Sequence, residues 1–213
     1  MNVWPGNPAQ RTPLALARMV VVDLETTGLR ANRDRLISIG AVTVRGYSLI
    51  LEESFERILR QESPSDADNI LIHRIGAHQQ LGGVDPAAAL RDFQHFVGDS
   101  PLIAYRAPFD AQVLRREFVM TLGQSPHWPF VDLAVSLQIL WPETRANTLD
   151  AWAERFRLQI PNRHHAVADA LATAQLLLIA LSRMEELGWH TLEDLLNLEK
   201  RRRWLTPHGP AEP

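Results

Sequence analysis

Asp23 and Glu25 stand two residues apart in MVVVDLE, a short apolar, β-branched run that ends in acids. On a strand, side chains at that spacing project to one face, and Leu24 between them turns to the other. Two carboxylates held side by side repel by up to about 4 kcal/mol at about 4 Å and an effective dielectric of about 20. A divalent cation between them removes that cost, and hard oxygen ligands suit Mg²⁺ or Mn²⁺. A solvated strand end on which two acids happen to alternate accounts for the same spacing, and the pair alone leaves both readings open.

Asp169 lies in AVADALATAQLLLIAL, a stretch apolar almost all the way round a helix and therefore buried. A lone ionised carboxylate there costs several kcal/mol unless it is paired or bound to a cation. Arg163, Arg106, Arg116 or a backbone amide are the alternatives to a cation. His164 precedes Asp169 by five residues, about 140° of rotation on an ideal helix, so the two do not share a helical face. His164 is therefore expected in the loop or first turn, over the site that Asp169 faces. A histidine there is a natural general base for a water; an exposed loop histidine is the plainer alternative. His73, His78, His95, His127 and His190 are all read as exposed loop histidines. Asp110, in PFDAQVLRREF, opens a helix, and N-capping explains it fully, as it does Asp85 and Asp132.

These residues must be held by elements that the chain can afford to build. It has 213 residues, which at about 150 per domain means one domain with additions. With 46% hydrophobic and 22% charged residues, it is neither disordered nor fibrous. There is no cysteine, so disulfides, thiolate metal sites and cysteine nucleophiles are excluded. The net charge of -3 excludes coating of nucleic acid by bulk charge, so any phosphate chemistry must be local. Residues 1–18 lack the features of a signal peptide, no run of about 18 apolar residues is evident, and the expectation is a cytoplasmic protein without a membrane span.

Residues 1–17 read as an irregular arm, 18–187 as one α/β domain, and 188–213 as a C-terminal helix and tail. Strands are expected from Met19, over Leu36–Gly46, over Tyr47–Leu59 with Gly46 as the turn, and over Leu102–Tyr105. Helices are expected over Pro86–Val97, Asp110–Leu122, Asp132–Leu140, Leu149–Phe156 and Ala166–Leu187. A last helix, Thr191–Arg203, starts with a capping box at Thr191 and Asp194. The order predicts a mixed central sheet flanked by helices.

Three segments now fall into a known order. DLETTGL (23–29), APFD (107–110) and HHAVAD (164–169) resemble the motifs of the DEDDh 3′–5′ exonucleases, which include the proofreading epsilon subunit of bacterial DNA polymerase III and RNA-trimming enzymes. ILIHRIGAHQ (70–79), VDLAVSLQIL (131–140) and NTLDAWAERFRL (147–158) are similar to further segments of that family. The resemblance covers about residues 18–183 and implies a ribonuclease H-like fold. It also implies two divalent cations, Mg²⁺ or Mn²⁺. Asp23 would bridge both, Glu25 and Asp169 would complete one site, and Asp110 would hold the second ion partly through water. Two cations about 3.5–4 Å apart activate a nucleophile and stabilise a leaving 3′-oxygen in an in-line displacement. His164 matches the histidine that deprotonates the water, with His165 at a variable position. The substrate would be a single-stranded nucleic acid 3′ end and the product a nucleoside 5′-monophosphate.

By the same resemblance Thr26, Thr27 and Gly28 seat the terminal nucleotide through backbone amides. Leu29 and Ile75 match positions that pack against the terminal bases, with core packing as the alternative. Tyr105-Arg106 stands where many members have His-Asn, and Arg106 either contacts a phosphate or pairs with an acid. Lys200 to Arg203 form a basic cluster, read first as a helix end that complements the dipole and second as a nucleic-acid contact. Alternatives within reach are an RNA-trimming enzyme and a non-catalytic, polymerase-associated binding module. Gly188 to Pro213 is a candidate docking segment for a polymerase or other protein partner.

Overall fold

The computed structural model describes residues 11–160, 164–198 and 200. Strand β1 (Arg18–Thr26) is the centre of a five-stranded sheet ordered β3-β2-β1-β4-β5. On one side it pairs antiparallel with β2 (Leu36–Arg45), which pairs antiparallel with β3 (Ser48–Ile58). On the other it pairs parallel with β4 (Leu102–Ala104), which pairs parallel with β5 (Phe130–Asp132). The sheet is mixed, as expected, and Gly46 turns β2 into β3 at φ +59°, where glycine carries no steric cost. β5 and two short helices, α1 (Ala67–His73) and α2 (Ala77–Leu81), are additions to the expected order.

The sheet is covered on both faces. Met19 and Val21 point into a core shared with α5 (Leu133–Leu140), α6 (Leu149–Arg155) and α7 (Ala166–Glu186). Val20, Val22 and Leu24 point the other way, against α3 (Pro86–Val97) and α4 (Pro108–Leu122). Burial of each such side chain contributes about 1.5–3 kcal/mol, which fixes the register, since a slip of one residue would exchange the two faces. The alternation continues past the apolar run and sends Asp23 and Glu25 to the α7 face.

α7 meets, by length and composition, the requirements for crossing a membrane, with 21 residues and a mean hydropathy of 1.4. That corrects the expectation that the chain holds no such segment, because Asp169 and the few other polar residues are too sparse to lower the mean. Its buried residues, from Ala166 to Met184, pack on the sheet and on α5 and α6. Gly40 makes that packing close: a Cβ there would lie 2.2 Å from the carbonyl carbon of Ala166 and 2.3 Å from the amide of Val167.

The two ends of the described chain lie together. Pro13 bridges Thr191, Leu14 donates to the His190 carbonyl, and Leu192 donates to Thr12. Leu14 is fully buried in the core with Leu192, Leu195 and Leu198. The expected capping box opens α8 (Leu192–Leu196): Thr191 Oγ1 accepts from the Asp194 amide, and Asp194 Oδ2 accepts from Thr191. Lys200 donates to Asn197 Oδ1 at 2.9 Å; the rest of the basic cluster and Arg163 lie outside the described residues.

Candidate metal centre

Asp23, Glu25 and Asp169 come together at the C-terminal end of β1. One carboxylate oxygen from each lies within 4.8 Å of the others. The first two arrive by strand alternation and the third by the tight seating of α7 on Gly40. Asp23 pairs with Gly40 across the β1–β2 ladder, so the place where α7 comes closest is also the place where Asp23 emerges. The register shifts between Glu25 and Thr26, where Ile37 of β2 is the extra residue, and one further pair, Thr26 with Leu36, closes the ladder beside the acids. Three oxygen donors so arranged match the coordination chemistry of a hard divalent cation, and they are three of the four acids that the resemblance assigns to metal.

Asp110 arrives from the other helical layer. α4 begins two residues earlier than expected, with Pro108 in its first turn and Ala107 as a cap without a side-chain bond. Asp110 is therefore inside the helix and not its cap, and it is buried with 5% exposure. Burial pushes its carboxyl up to about 8, helped by the charges of Asp132 and Glu25 and opposed by its own amide and that of Leu24. It lies outside the group of three but within electrostatic reach of Glu25. Asp85 and Asp132 are caps as expected, accepting from Ala88 and from Ala134 and Val135 respectively.

His164 sits in the loop before α7, with an exposed side chain and φ +64°. Its amide donates to Asp169 Oδ2 at 3.1 Å, so the backbone of one residue is fastened to the carboxylate of the other. His165 caps α7 and pairs with Glu56 of β3 at 3.2 Å. Arg106 also lies in the left-handed region, at φ +64°. Such conformations are uncommon for residues other than glycine and gather at functional sites. Arg106 is held by two contacts: its amide donates to Asp132 Oδ1 at 3.1 Å, and its guanidinium to the Asn147 carbonyl at 2.8 Å. Arg116 is spent elsewhere, on the carbonyls of Ala31 and Asp34 and on Glu117.

A cleft of about 270 Å³ opens over the acids. It is lined by Asp23, by Asp169, by Tyr105 and Arg106 of the β4–α4 turn, and by Thr148 and Asp150 at the start of α6. Burial pushes the Tyr105 phenol up to about 12, so it stays a neutral hydroxyl well into the alkaline range.

The Thr26–Gly28 turn is braced from within. Thr26 Oγ1 donates to the Gly28 carbonyl at 2.6 Å, and Thr27 and Arg35 exchange two bonds. Leu29 is 92% exposed, which excludes core packing for it, whereas Ile75 is buried in the link between α1 and α2. His73 corrects the reading of that histidine as exposed. It is fully enclosed, and its ring takes a single tautomer: Nδ1 accepts from the Ile75 amide, so Nε2 carries the proton toward Asn69 Oδ1 at 3.0 Å. Asn69 in turn donates to the Thr26 carbonyl, so His73 steadies the turn beside the acids. His78, His95, His127 and His190 are exposed, although His78 and His95 lie on helices.

A family model described as exonuclease matches residues 20–177. DNA polymerase III PolC-type of Bacillus subtilis is 32% identical over 170 residues, 79% of this chain and 12% of that protein. The DNA polymerase III subunit epsilon-like protein of Rhodobacter capsulatus is 30% identical over 190 residues, 87% of this chain and 27% of that one. The chain thus spans a small part of these relatives. Among solved structures, E. coli exonuclease I in complex with a dT13 oligonucleotide superposes at a TM-score of 0.67 with 20% identity, over 81% of this chain and 42% of that one. Exonuclease X in complex with 5′ overhanging duplex DNA superposes at 0.64 with 22% identity, over 84% of this chain and 98% of that one. The sheet and its flanking helices are the ribonuclease H-like fold that these structures share. With its family model matched over more than half of its length, and its acids standing in the order of the three motifs, the chain belongs to the exonuclease family of the DEDD superfamily.

Proposed function

We propose that the chain is a divalent-cation-dependent 3′–5′ exonuclease acting on single-stranded DNA and releasing nucleoside 5′-monophosphates. The observation that carries the reading is the convergence of Asp23, Glu25 and Asp169 within 4.8 Å at the strand end, with His164 fastened beside them. Asp23, Glu25 and Asp169, with Asp110, would hold two Mg²⁺ or Mn²⁺ ions, which supply charge for the phosphate, the attacking water and the leaving oxygen. His164 takes the proton of the water that attacks phosphorus, and the bond from phosphorus to the 3′-oxygen of the preceding nucleotide breaks. Thr26, Thr27 and Gly28 offer the backbone that seats the terminal nucleotide, Leu29 offers apolar surface to its base, and Ile75 supports that wall from the interior.

The DNA in the complexes of exonuclease I and exonuclease X supports DNA as the substrate class. The polymerase names of the relatives support a polymerase as partner, with Gly188 to Pro213 as the candidate docking segment. The test is an assay on 5′-labelled single-stranded DNA, duplex DNA and RNA of matched sequence, in Mg²⁺, in Mn²⁺ and in excess EDTA. Stepwise shortening of the single strand from its 3′ end, in metal only, is expected. Activity that persists in excess chelator overturns the metal mechanism. Binding without cleavage in Mn²⁺ replaces the enzyme with a binding module.

A further inference from the structure

We infer that Glu56 and His165 are positioning residues of the same site: the contact between them ties the His164 loop to the sheet and so sets how well His164 is placed to take its proton. The inference rests on the nuclease reading above. Asp23 pairs with Gly40 across the β1–β2 ladder, and Gly40 pairs with Glu56 across the β2–β3 ladder. Residues opposite one another in neighbouring strands project to one face, so the three form a row under the start of α7, while Phe55 turns to the other core. Gly40, in the middle, carries no side chain, and the backbone of Ala166 and Val167 rests there. The row therefore offers a carboxylate on each side of the helix start. Asp23 joins Glu25 and Asp169 on one side; on the other, Glu56 Oε1 lies 3.2 Å from His165 Nε2.

The backbone bonds of the loop fasten it to α7 itself. The His164 amide donates to Asp169 Oδ2, and the Asp169 amide donates to the His165 carbonyl, so both bonds close within the first turn of the same helix. Among the described hydrogen bonds and ion pairs of residues 164 and 165, the one that reaches the sheet is that of His165 with Glu56. His164 and His165 are adjacent, so restraint on one backbone restrains the other. The fold itself needs the contact little: both side chains are 44% exposed, and ion pairs so placed add little to stability. The reaction is more demanding. A general base must stand within about 2.6–3.2 Å of the proton it removes, and a displacement of about 1 Å costs up to about 10²-fold in rate.

The experiment measures kcat and KM on 5′-labelled oligo-dT in Mn²⁺, with thermal midpoints in the presence and absence of Mn²⁺ as the control. Glu56→Ala and His165→Ala are each expected to lower kcat about tenfold, with KM and the metal-induced stabilisation unchanged. The double variant loses no more than either single one. Glu56→Gln and His165→Gln, which keep an acceptor and a donor in place, recover part of the loss. In a His164→Ala background Glu56→Ala lowers kcat no further, because the contact acts through His164. An unchanged kcat in Glu56→Ala, losses that multiply in the double variant, or an equal loss with and without the His164 imidazole overturns the inference. A wild-type chain that leaves the oligonucleotide intact overturns the nuclease reading, and the inference with it.

Discussion

Asp23 and Gly40 are cross-strand partners, and the missing side chain of one lets the other share a site with Asp169. Because Gly40 has no Cβ, the first turn of α7 rests directly on β2. Gly40→Ala forces backbone atoms of Ala166 and Val167 outward and is expected to cost about 1–3 kcal/mol. It should also weaken cation binding, because Asp169 moves with its helix. Thermal melts with and without Mn²⁺ measure both effects. A variant that keeps the full metal-induced stabilisation would remove Gly40 from this role.

Loss of one acid should separate metal binding from folding. A cation that binds only the native state stabilises it by RT ln(1 + [L]/Kd), so Mg²⁺ or Mn²⁺ is expected to raise the melting temperature of the wild type. In Asp169→Asn both the rise and the nuclease activity should vanish, while the metal-free protein remains folded. An Asp169→Asn protein still stabilised by metal would show that the group of three is not the binding site.

His164 should divide the same readouts differently. Its imidazole is exposed and its amide donates to Asp169, so His164→Ala keeps the backbone bond and the metal-induced stabilisation. The expected loss is in kcat, about 10²- to 10⁴-fold, as for removal of a general base. Unchanged turnover assigns the proton to another acceptor.

His73 predicts an acid dependence. Burial holds its pKa below the ordinary 6.5, so the folded state favours the neutral ring. Its stabilising share is complete above about pH 6.5 and is lost as pH falls through the lowered native value. His73→Gln should flatten the decline of the melting temperature below pH 6.5, at some cost in stability at pH 8. Parallel curves for the two proteins would show that the ring does not titrate with unfolding.

The legible parts of the fold were those written locally. The alternation from Met19 to Glu25 places each residue on its observed face, and the apolar run around Asp169 places α7 in the interior. Pro108 in a first helical position was a usable signal that α4 starts before Asp110; the pull of capping chemistry hid it. β5 is three residues long, as β4 is, but it runs directly into α5, and the helical pattern read from Asp132 onward covers its end. α1 shows Leu71 and Ile72 to solvent and buries a histidine, which inverts the pattern by which a helix is recognised. The roles of Gly40 and His73 depend on contacts with distant segments, α7 in one case and the Thr26 turn in the other, and nothing in their neighbouring residues announces them.

Asp110 and Asp169 belong to helices that cover opposite faces of the sheet, and β1 packs against both. Neither half of the molecule can assemble the four acids by itself. An intermediate with one helical layer undocked would hold an incomplete set of oxygens and bind cations poorly. Catalytic competence should therefore emerge late in refolding, after both layers have settled, and report on completion of the whole domain better than spectroscopic helicity does.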